Sequence, residues 1–517
     1  MTDNRLISAL QQPQIYDHPV GEIRLLETHI SWIILTGDFV YKVKKPVDLG
    51  FLDFSSLELR KHYCEQELEL NRRLAPQLYL EVVALTGSPD APVINGSGEP
   101  FEYAVKMRQF DPEQQLDKLL QRSELTSTQI DQLADTIAGF HDSVERADEN
   151  SPYGSPAAVW QPMQENFDQI RTRFQDDSEQ ARLDRLQQWS RQRFDQLKGV
   201  ITARKQQGFV RNCHGDMHLA NITLVDGKVT VFDCIEFNDY FRWIDVISEI
   251  AFTTMDLIDR GRPDLSTRLL NRYLQRSGDY AGLTLLRFYQ VYRALVRAKV
   301  AMIRHSQAGL TDKESEQSLQ QYRDYSRLAE GFTHTQPATL YITHGVSGSG
   351  KTTLTQPLLE HHGMIRLRSD VERKRLFGLS AEARSRSETG AGIYTQSASE
   401  QTYQRLRQLA RQTLEAGYST IVDATFLKQD QRHLFHTLAE ELGLPFVILH
   451  FHADKALLRQ WISERLSENR DASEADLEVL EHQLKTEEPL AENEAERIIA
   501  IDSGRDEAVQ ILLQQVS

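Results

Sequence analysis

Two separate groups of residues in this chain have the types and the spacing needed to hold phosphate groups. The first is the run from Gly345 to Thr352, which reads Gly-x-x-x-x-Gly-Lys-Thr. Its glycines let backbone N–H groups converge on phosphate oxygens, and a helix that begins at the lysine aims further N–H groups at the same anion. A predicted strand, Leu340–Thr343, precedes the run, and an apolar helix follows it. We therefore predict that a nucleotide is bound by Gly345, Ser347, Gly348, Ser349, Gly350, Lys351, Thr352 and Thr353, with the Thr352 hydroxyl on Mg²⁺.

Charged residues downstream of this loop are spaced to complete a phosphoryl-transfer site. Asp370 follows the second predicted strand, where a carboxylate can accept a proton from a hydroxyl group, and Arg373 lies one helical turn further on. Asp423 ends an apolar strand and is the predicted second metal position, with a cap for the next helix as the alternative. Arg465 and Arg470 lie in a helix and the loop after it, where arginines can close over a transferring phosphate.

The second group lies upstream, in His214-Gly-Asp216 and the residues that follow. Asp216 is predicted on a loop, where its carboxylate can orient and deprotonate a substrate hydroxyl. Asn221 can reach a magnesium ion, and Asp233, at the end of a later predicted strand, can bridge the metals. The stretch from Asn221 to Asp233 is long enough for a two-strand hairpin, which returns the chain to the same site. We interpret His214 as a residue that holds the loop.

A site of this second kind also needs a lysine on an early strand, paired with a glutamate of the following helix. Lys42 and Lys44 share one face of the alternating segment Phe39–Lys44, and Glu65 and Glu67 lie in the next predicted helix. We favour Lys42 and Glu67 as the pair that binds the nucleotide. The choice between the two lysines and between the two glutamates stays open at this point. The alternative for each of these residues is that it is an ordinary charged residue of the surface.

The elements that must position these residues follow two patterns, and the chain of 517 residues is too long for one hydrophobic core. Strands come first, and helices dominate from Glu113 to about Leu328, which predicts an α+β bilobal domain. Beyond this region strands and helices alternate, which predicts an α/β domain with a parallel sheet. We predict a first domain over residues 1–330, a linker over 331–338 and a second domain over 339–517.

The C-terminal part resembles small P-loop kinases, in particular the polynucleotide-kinase-like group with AAA-type ATP-binding domains. The resemblance rests on the phosphate-binding loop, on the segment Arg368–Gly378 and on Val422-Asp423-Ala-Thr425-Phe. Seven Lys or Arg residues stand against three Asp or Glu residues between Arg366 and Arg386, which suits an anionic or phosphorylated substrate.

The N-terminal part resembles the aminoglycoside phosphotransferase family, a branch of the protein-kinase-like fold, through the residues from His214 to Asp233 and through Trp243-Ile-Asp245. The resemblance implies a β-rich lobe, a helical lobe, ATP between them and a small hydroxylated substrate. It places the adenine-binding hinge within Met107–Asp111. The family's glycine-rich loop is missing between Glu27 and Ile34. The joined arrangement resembles bifunctional aminoglycoside phosphotransferase/ATP-binding proteins of bacteria.

Composition narrows the function classes. The formal net charge of −16 disfavours a nucleic-acid partner for the whole surface, although it leaves a local basic groove open. No apolar segment is long enough to span a membrane, and the N-terminus lacks an export pattern, so we expect a cytoplasmic protein.

Taken together, the motifs and the resemblances predict a phosphotransferase that uses ATP and Mg²⁺ on small hydroxylated substrates. The alternatives are a nucleotide-sensing protein with one degenerate module and a 5′-hydroxyl nucleic-acid kinase in the C-terminal domain. The oligomeric state stays open.

Overall fold

The computed structural model of this protein describes residues 2–50, 52–173, 176–307, 309–381, 383, 392–468 and 473–516. The chain packs into two compact units. The first unit contains Met1–Thr172 and Ser190–Asp256, and the second contains Arg173–Trp189 and Leu257–Ser517. Each unit has its own hydrophobic core. None of the helices in the described part of the chain is long and apolar enough to cross a membrane.

An antiparallel sheet of six strands forms the N-terminal part of the first unit, in the spatial order β1-β2-β3-β6-β4-β5. The strands are β1 (Arg24–Glu27), β2 (Ser31–Leu35), β3 (Phe39–Lys44), β4 (Tyr79–Ser88), β5 (Ala91–Ile94) and β6 (Glu102–Arg108). Helix α1 (Thr2–Leu10) packs in one apolar cluster with Tyr41 and Val43 of β3. Helix α2 (Leu57–Arg72) packs through Cys64 in a second cluster, with Val40 of the same strand. Because side chains alternate along a strand, Lys42 and Lys44 lie on the face that α2 covers.

Helices and two short β-ladders make up the remainder of the first unit. The helices are α3 (Leu116–Gln121), α4 (Ser127–Ser143), α5 (Pro156–Arg171), α6 (Asp177–Gln206), α7 (Asp239–Arg242) and α8 (Val246–Asp259), of which α6 and α8 also have residues in the second unit. The strands are β7 (Val210–Asn212), β8 (Ile222–Val225), β9 (Lys228–Val231) and β10 (Trp243–Asp245). Strands β8 and β9 form the predicted hairpin, with its turn at Asp226-Gly227.

A parallel sheet of five strands organises the second unit, as the strand–helix alternation predicts. The strands are β11 (Leu340–His344), β12 (Ile365–Arg368), β13 (Thr420–Asp423), β14 (Phe446–His452) and β15 (Ile498–Asp502), in the order β12-β13-β11-β14-β15. The helices are α9 (Pro263–Ser277), α10 (Leu283–His305), α11 (Asp312–Thr333), α12 (Lys351–His362), α13 (Ser369–Leu376), α14 (Gln396–Glu415), α15 (Gln429–Leu442), α16 (Lys455–Glu468), α17 (Leu477–Thr486) and α18 (Ala508–Gln515). Polar side chains after β11, β12 and β13 meet at one sheet edge, because the carboxyl ends of parallel strands lie together.

The packing units do not follow the predicted sequence domains of 1–330 and 339–517. Helices α9 and α10 contact the parallel-sheet part of the second unit: Asn271 of α9 bonds to the backbone at β12, and Arg287 of α10 donates to the Gly417 carbonyl oxygen at 2.8 Å. Helix α11 includes residues 331–333 of the predicted linker, so the irregular connection is shorter and runs over 334–339. As a division of the sequence into domains, the boundary at 331–338 stays a prediction.

Candidate active sites

The loop from His214 to Asn221 brings together residues of the second predicted group, which lies in the first unit. The Asn221 side-chain nitrogen donates to the Asp216 backbone oxygen at 3.0 Å and to its carboxylate at 3.1 Å. The His214 ring bonds to the Phe232 carbonyl oxygen at 2.9 Å, and the Phe232 amide donates to the Asn221 backbone oxygen at 3.0 Å. The loop is therefore tied to the end of β9, and His214 has the holding role expected for it. These bonds leave the carboxamide oxygen of Asn221 for a metal ion.

Asp233 follows β9 in an unusual backbone conformation. Its φ of 64° lies in the left-handed region, which costs a residue other than glycine about 1–3 kcal/mol. Two contacts hold it there: the Asp233 amide donates to the Tyr79 hydroxyl at 3.1 Å, and the next amide, of Cys234, donates to the Asn71 side chain at 2.8 Å. Strain that neighbours maintain in this way is typical of functional sites. The Asp233 carboxylate is 45% exposed and accepts from Lys42 Nζ at 2.6 Å.

Both candidate lysines of β3 contact Glu67, whereas Glu65 pairs with Lys61 on the surface. Lys42 Nζ lies 2.8 Å from one Glu67 oxygen, and Lys44 Nζ lies 2.7 Å from the other. Burial alone would lower the pKa of Lys42, but the carboxylates of Asp233 and Glu67 outweigh it and hold the pKa well above its ordinary value. Because Lys42 bridges Glu67 and Asp233, it occupies the position expected of the nucleotide-binding lysine.

Lys44 belongs to a closed ion network that the sequence did not reveal. Its side chain is completely buried and also contacts the carboxylate of Glu236, which is 5% exposed. Burial raises the pKa of Glu236, while the charge of Lys44 opposes this effect. Glu236 has no motif of its own around it, and only the fold brings it to β3. Lys44 therefore pairs with two buried carboxylates and lies one pleat away from the Lys42–Asp233 contact.

Separate substitutions of the two lysines should have different consequences. Lys44→Met leaves Glu67 and Glu236 buried with one cation fewer, so we expect it to lower the free energy of unfolding by about 3–5 kcal/mol. Lys42→Met should lower Asp216-dependent ATP consumption roughly a hundredfold and change stability less, since Glu67 keeps Lys44. Urea unfolding and ATP consumption in a Lys351→Ala background measure the two effects. The opposite order of effects would assign the nucleotide to Lys44.

A buried carboxylate of α8 holds the Asp216 loop in place, and no sequence pattern pointed to it. Glu249 accepts the amides of His214 at 2.8 Å and Gly215 at 2.6 Å, and its other oxygen lies 2.8 Å from His141 Nε2. Burial would raise the pKa of Glu249, but the hydrogen bond and charge of His141 and the loop amide lower it below its ordinary value. Glu249 thus fixes the two peptide groups that precede Asp216.

The hairpin of β1 and β2, which would cover the phosphates of a nucleotide at the first site, has a short turn. Strands β1 and β2 are joined by Thr28, His29 and Ile30, and the Thr28 amide donates to the Ser31 carbonyl oxygen at 2.9 Å. This tight turn has no glycine to bring backbone amides towards an anion. The first site therefore depends on Lys42 for contacts to the phosphates more than a site with a glycine-rich loop would.

The phosphate-binding loop of the second unit begins directly after β11 and leads into α12. Gly345 has a φ of 141°, and a Cβ atom there would collide with the Phe451 carbonyl oxygen, so this position requires glycine. Lys351 Nζ donates to the carbonyl oxygens of Gly345 at 2.8 Å and Val346 at 2.7 Å. Burial lowers the pKa of Lys351 to about 8, while the carboxylate of Asp423 opposes the shift. The ammonium group is thus held across the loop and is protonated at neutral pH.

Oxygen ligands for a divalent ion meet at the start of α12. The Thr352 hydroxyl donates to the Asp423 carboxylate at 2.7 Å. A hydroxyl and a carboxylate beside a phosphate loop are the oxygen ligands that Mg²⁺ takes together with substrate phosphates. Asp216, Asn221 and Asp233 provide a comparable set of oxygens in the first unit. The residues present at both sites therefore fit a magnesium–nucleotide complex.

A cavity of about 1350 Å³ lies over the phosphate-binding loop. Its lining includes Ser347–Leu354 and Asp423, together with Asp370 and Arg373 from the start of α13. Arg373 lies 4.0 Å from Asp370, and its guanidinium group stacks 5.0 Å from the centre of the Tyr394 ring. The structure thus places the predicted acceptor residues and the predicted phosphate-binding residues around one space.

Of the two candidate arginines of the C-terminal region, Arg465 and Arg470, the first lies in α16 together with Arg459. Arg465 lines the cavity, and its guanidinium group contacts the Ala475 carbonyl oxygen. Arg459 is half exposed and pairs with Glu481 at 2.6 Å, which is the solvated arrangement. Arg470 lies outside the described residues, and so does part of the basic segment between Arg366 and Arg386. Arg465 is therefore the described arginine of α16 that a phosphate in the cavity could reach.

The buried His344 pairs with the half-buried His450 beside the loop, and this pair makes stability depend on pH. His344 Nδ1 of β11 is 2.8 Å from His450 Nδ1, and Glu487 is 3.7 Å from the other ring nitrogen. Burial first, then the charges of His450, Arg432 and Lys351, lower the pKa of His344 to about 3. The unfolded chain gains a proton below about pH 6.5 that the folded chain does not, so stability falls as the pH falls.

We expect the unfolding free energy to drop between pH 6.5 and pH 5.5 by about 1 kcal/mol more in the native protein than in His344→Gln. Urea unfolding of both proteins at the two pH values measures this difference. Equal pH dependence of the two proteins would show that the His344 ring accepts a proton in the folded state.

Comparisons with known proteins match both sites. The model of the phosphotransferase enzyme family matches residues 51–289, and the model of an AAA domain matches residues 340–490. An uncharacterized protein of Mycobacterium tuberculosis is 31% identical over 461 residues, which cover 89% of each chain. Among solved structures, a sugar kinase of Janibacter is 22% identical with a TM-score of 0.27, and covers 35% of this chain and 92% of that chain. A choline/ethanolamine kinase family protein of Mesorhizobium loti is 9% identical with a TM-score of 0.37. This match covers 64% of the present chain and 100% of the Mesorhizobium chain.

The two matched ranges contain most of the site residues, although the first range begins after Lys42. The phosphotransferase range includes Asp216, Asn221 and Asp233, and the AAA range includes Lys351 and Asp423. The predicted fold class, a kinase-like α+β domain followed by an α/β P-loop domain with a parallel sheet, is confirmed. The similarity to the mycobacterial relative extends over both domains, so their fusion is shared between the two chains.

Proposed function

Because this chain belongs to the family of bacterial proteins that join a phosphotransferase domain to a P-loop kinase-like domain, it is an ATP-dependent phosphotransferase, and we propose that both domains transfer phosphoryl groups to small hydroxylated molecules. One observation carries the proposal. In the first unit Lys42 contacts Asp233, and the residue before Asp233 bonds to Asn221, which holds the Asp216 carboxylate. In the second unit Lys351 spans the phosphate-binding loop, and Thr352 bonds to the Asp423 carboxylate. Phosphoryl transfer needs this collection of charges, because positioning and charge neutralisation supply most of the catalysis.

In the first site, each residue of the cluster has a separate task. Asp216 orients the acceptor hydroxyl and takes its proton, and Asn221 keeps the Asp216 carboxylate in place through its side-chain nitrogen. Asn221 and Asp233 hold the magnesium ion, which neutralises phosphate charge when it is bound. Lys42 exchanges its contact with Asp233 for the nucleotide phosphates and stays paired with Glu67.

In the second site, backbone amides of the phosphate-binding loop and Lys351 bind the phosphates, and Thr352 and Asp423 hold the magnesium ion. Asp370 accepts the proton of the acceptor hydroxyl. Arg368 and Arg373 lie beside Asp370 in the lining of the cavity, and this arrangement favours an acceptor that carries negative charge. Arg465, which also lines the cavity, contacts the transferring phosphate.

Two other functions make different predictions. The tight turn between β1 and β2 favours a nucleotide-sensing first domain, which would bind ATP without turnover. The basic residues around Arg366 favour a 5′-hydroxyl oligonucleotide as the acceptor of the second domain.

We propose the cytoplasm as the location, because the donor is ATP and Cys64, Cys213 and Cys234 are free thiols.

Labelled phosphate transfer tests the proposal. The full chain, Asp216→Asn and Lys351→Ala are incubated with γ-labelled ATP, Mg²⁺ and a library of sugars, sugar acids, amino alcohols and a 5′-hydroxyl oligonucleotide. We expect one class of products to disappear with each substitution. Products that depend on Lys351 alone would support the sensor, and labelling of the oligonucleotide would support nucleic-acid repair.

A further inference from the structure

The free edge of the parallel sheet is closed by a side chain from the first sequence domain. Strand β12 is the edge strand, and its other side pairs with β13. Asn271 of α9 donates to the Met364 carbonyl oxygen at 2.8 Å and accepts from the Arg366 amide at 2.7 Å. One side-chain amide thus makes two of the bonds that a neighbouring strand would make at this edge. Asn271 is 3% exposed, so the two backbone groups have no water to replace it.

Helix α9 is attached to the same region at a second point. Arg375 of α13 donates to the Gln275 carbonyl oxygen at 2.5 Å, near the C-terminus of α9. A cation there interacts favourably with the unpaired carbonyl groups of a helix end. Gly278, which ends α9 with a φ of 74°, leaves room for the Arg375 side chain. The buried carboxylate of Glu372 pairs with Arg375, so the positive charge of Arg375 is neutralised within α13.

The segment of β12 that Asn271 holds is connected to two parts of the second site, the phosphate-binding helix and the acceptor carboxylate. Arg366 is buried, and its guanidinium group donates to the Thr352 carbonyl oxygen at 2.9 Å and to the Gln356 side chain at 2.7 Å. Two residues after Arg366, β12 ends, and the chain enters α13 with Asp370. A shift of β12 would therefore move the acceptor carboxylate and pull on the first turn of the phosphate-binding helix.

We propose that Asn271 is a positioning residue for phosphoryl transfer in the C-terminal site. It lies within the range matched by the phosphotransferase model, residues 51–289, but packs in the same unit as the parallel sheet. The first domain thereby supplies the support on which the second domain's acceptor strand rests. This inference depends on the proposed function for its catalytic consequence, whereas its structural part can be measured without any turnover.

Hydrogen exchange followed by mass spectrometry on the full chain tests the structural part. In Asn271→Ala we expect amides in residues 364–376 to exchange roughly tenfold faster, because Met364 and Arg366 lose buried partners. The matched control is Arg268→Ala, one turn earlier in α9, which removes a more exposed contact to Glu360 at 3.0 Å and should accelerate exchange in this segment much less. Asn271→Asp keeps the acceptor for the Arg366 amide and should lie between the two.

Kinetics of the same variants test the positioning role. Lys351-dependent ATP consumption should fall about tenfold in Asn271→Ala, while the affinity for a fluorescent ATP analogue stays within about twofold. A purely structural residue would change both together. Unchanged exchange in residues 364–376, or equal acceleration throughout the second unit, would overturn the proposal. If Asn271→Ala does not fold, Asn271→Asp provides the same comparison. Altered exchange without any Lys351-dependent turnover would count against the proposed function and not against the role of Asn271 in holding β12.

Discussion

Replacing Lys351 with alanine is expected to remove nucleotide binding from the C-terminal site while the chain stays folded. The Lys351 side chain is buried at the floor of the cavity, and nothing else in the phosphate-binding loop carries a positive charge. In the proposed complex its ammonium group lies against the β- and γ-phosphates, where a preorganised ionic contact is worth more than one on the surface. We expect affinity for the Mg²⁺–ATP complex and Lys351-dependent turnover to fall roughly a hundredfold or more.

The control for this substitution is Lys428→Ala. Lys428 also lines the cavity, but it is about half exposed and pairs with Glu488 at 3.1 Å. Removing this lysine should change nucleotide affinity by no more than about threefold, since exposed ion pairs contribute little. Isothermal titration with a non-hydrolysable ATP analogue measures both variants. Unchanged affinity at the C-terminal site in Lys351→Ala would contradict the assigned role of the loop.

Replacing Asp216 with asparagine should lower turnover at the first site by about 10²–10⁴-fold, the range that general acid–base catalysis contributes. Asparagine has nearly the same shape, and its oxygen can still accept from Asn221, which donates to Asp216 at 3.1 Å in the native protein. It cannot take a proton from a hydroxyl group. Nucleotide affinity should stay close to that of the native protein, because Lys42, Asn221 and Asp233 are retained.

Asp226→Asn provides the matched control for this carboxylate. Asp226 lies in the turn of the β8–β9 hairpin, is 74% exposed and is 3.5 Å from Arg108. Its substitution removes the same charge from the same unit without touching the cluster. ATP consumption in a Lys351→Ala background should therefore be normal in Asp226→Asn and low in Asp216→Asn. Equal activity of these two variants would show that Asp216 does not take part in the reaction.

Sequence reasoning succeeds where a function is encoded in neighbouring residues. The phosphate-binding loop could be predicted with its flanking strand and helix, because glycine spacing, lysine and threonine act within one turn of the chain. The hairpin between Asn221 and Asp233 could be predicted as well, since its strands and its Asp226-Gly227 turn are consecutive. Local chain geometry decides both features.

Residues that act through distant contacts could not be predicted. Glu236 and Glu249 are ordinary acidic residues in the sequence, and their roles depend on Lys44 and on the His214 loop being folded against them. The choice between Lys42 and Lys44 has the same origin. Both lie on one face of β3, and their contacts to Asp233 and Glu236 distinguish them.

The relation between the sequence domains and the packing units could not be predicted from the sequence either. Helices α9 and α10 continue the helical pattern of the first domain, so the change to strand–helix alternation marks a boundary after them. The contacts that Asn271 and Arg287 make with the parallel-sheet part of the chain link residues about 90 to 130 positions apart. No periodicity within either segment carries that information.

The number of nucleotides bound per chain tests the central claim, which is that two independent ATP sites exist on one polypeptide. Isothermal titration of the native chain with a non-hydrolysable ATP analogue and Mg²⁺ should give two bound nucleotides, and Lys351→Ala and Lys42→Met should each give one. The double variant should bind none at the same concentrations. One nucleotide per native chain, lost completely in a single variant, would contradict the two-site account.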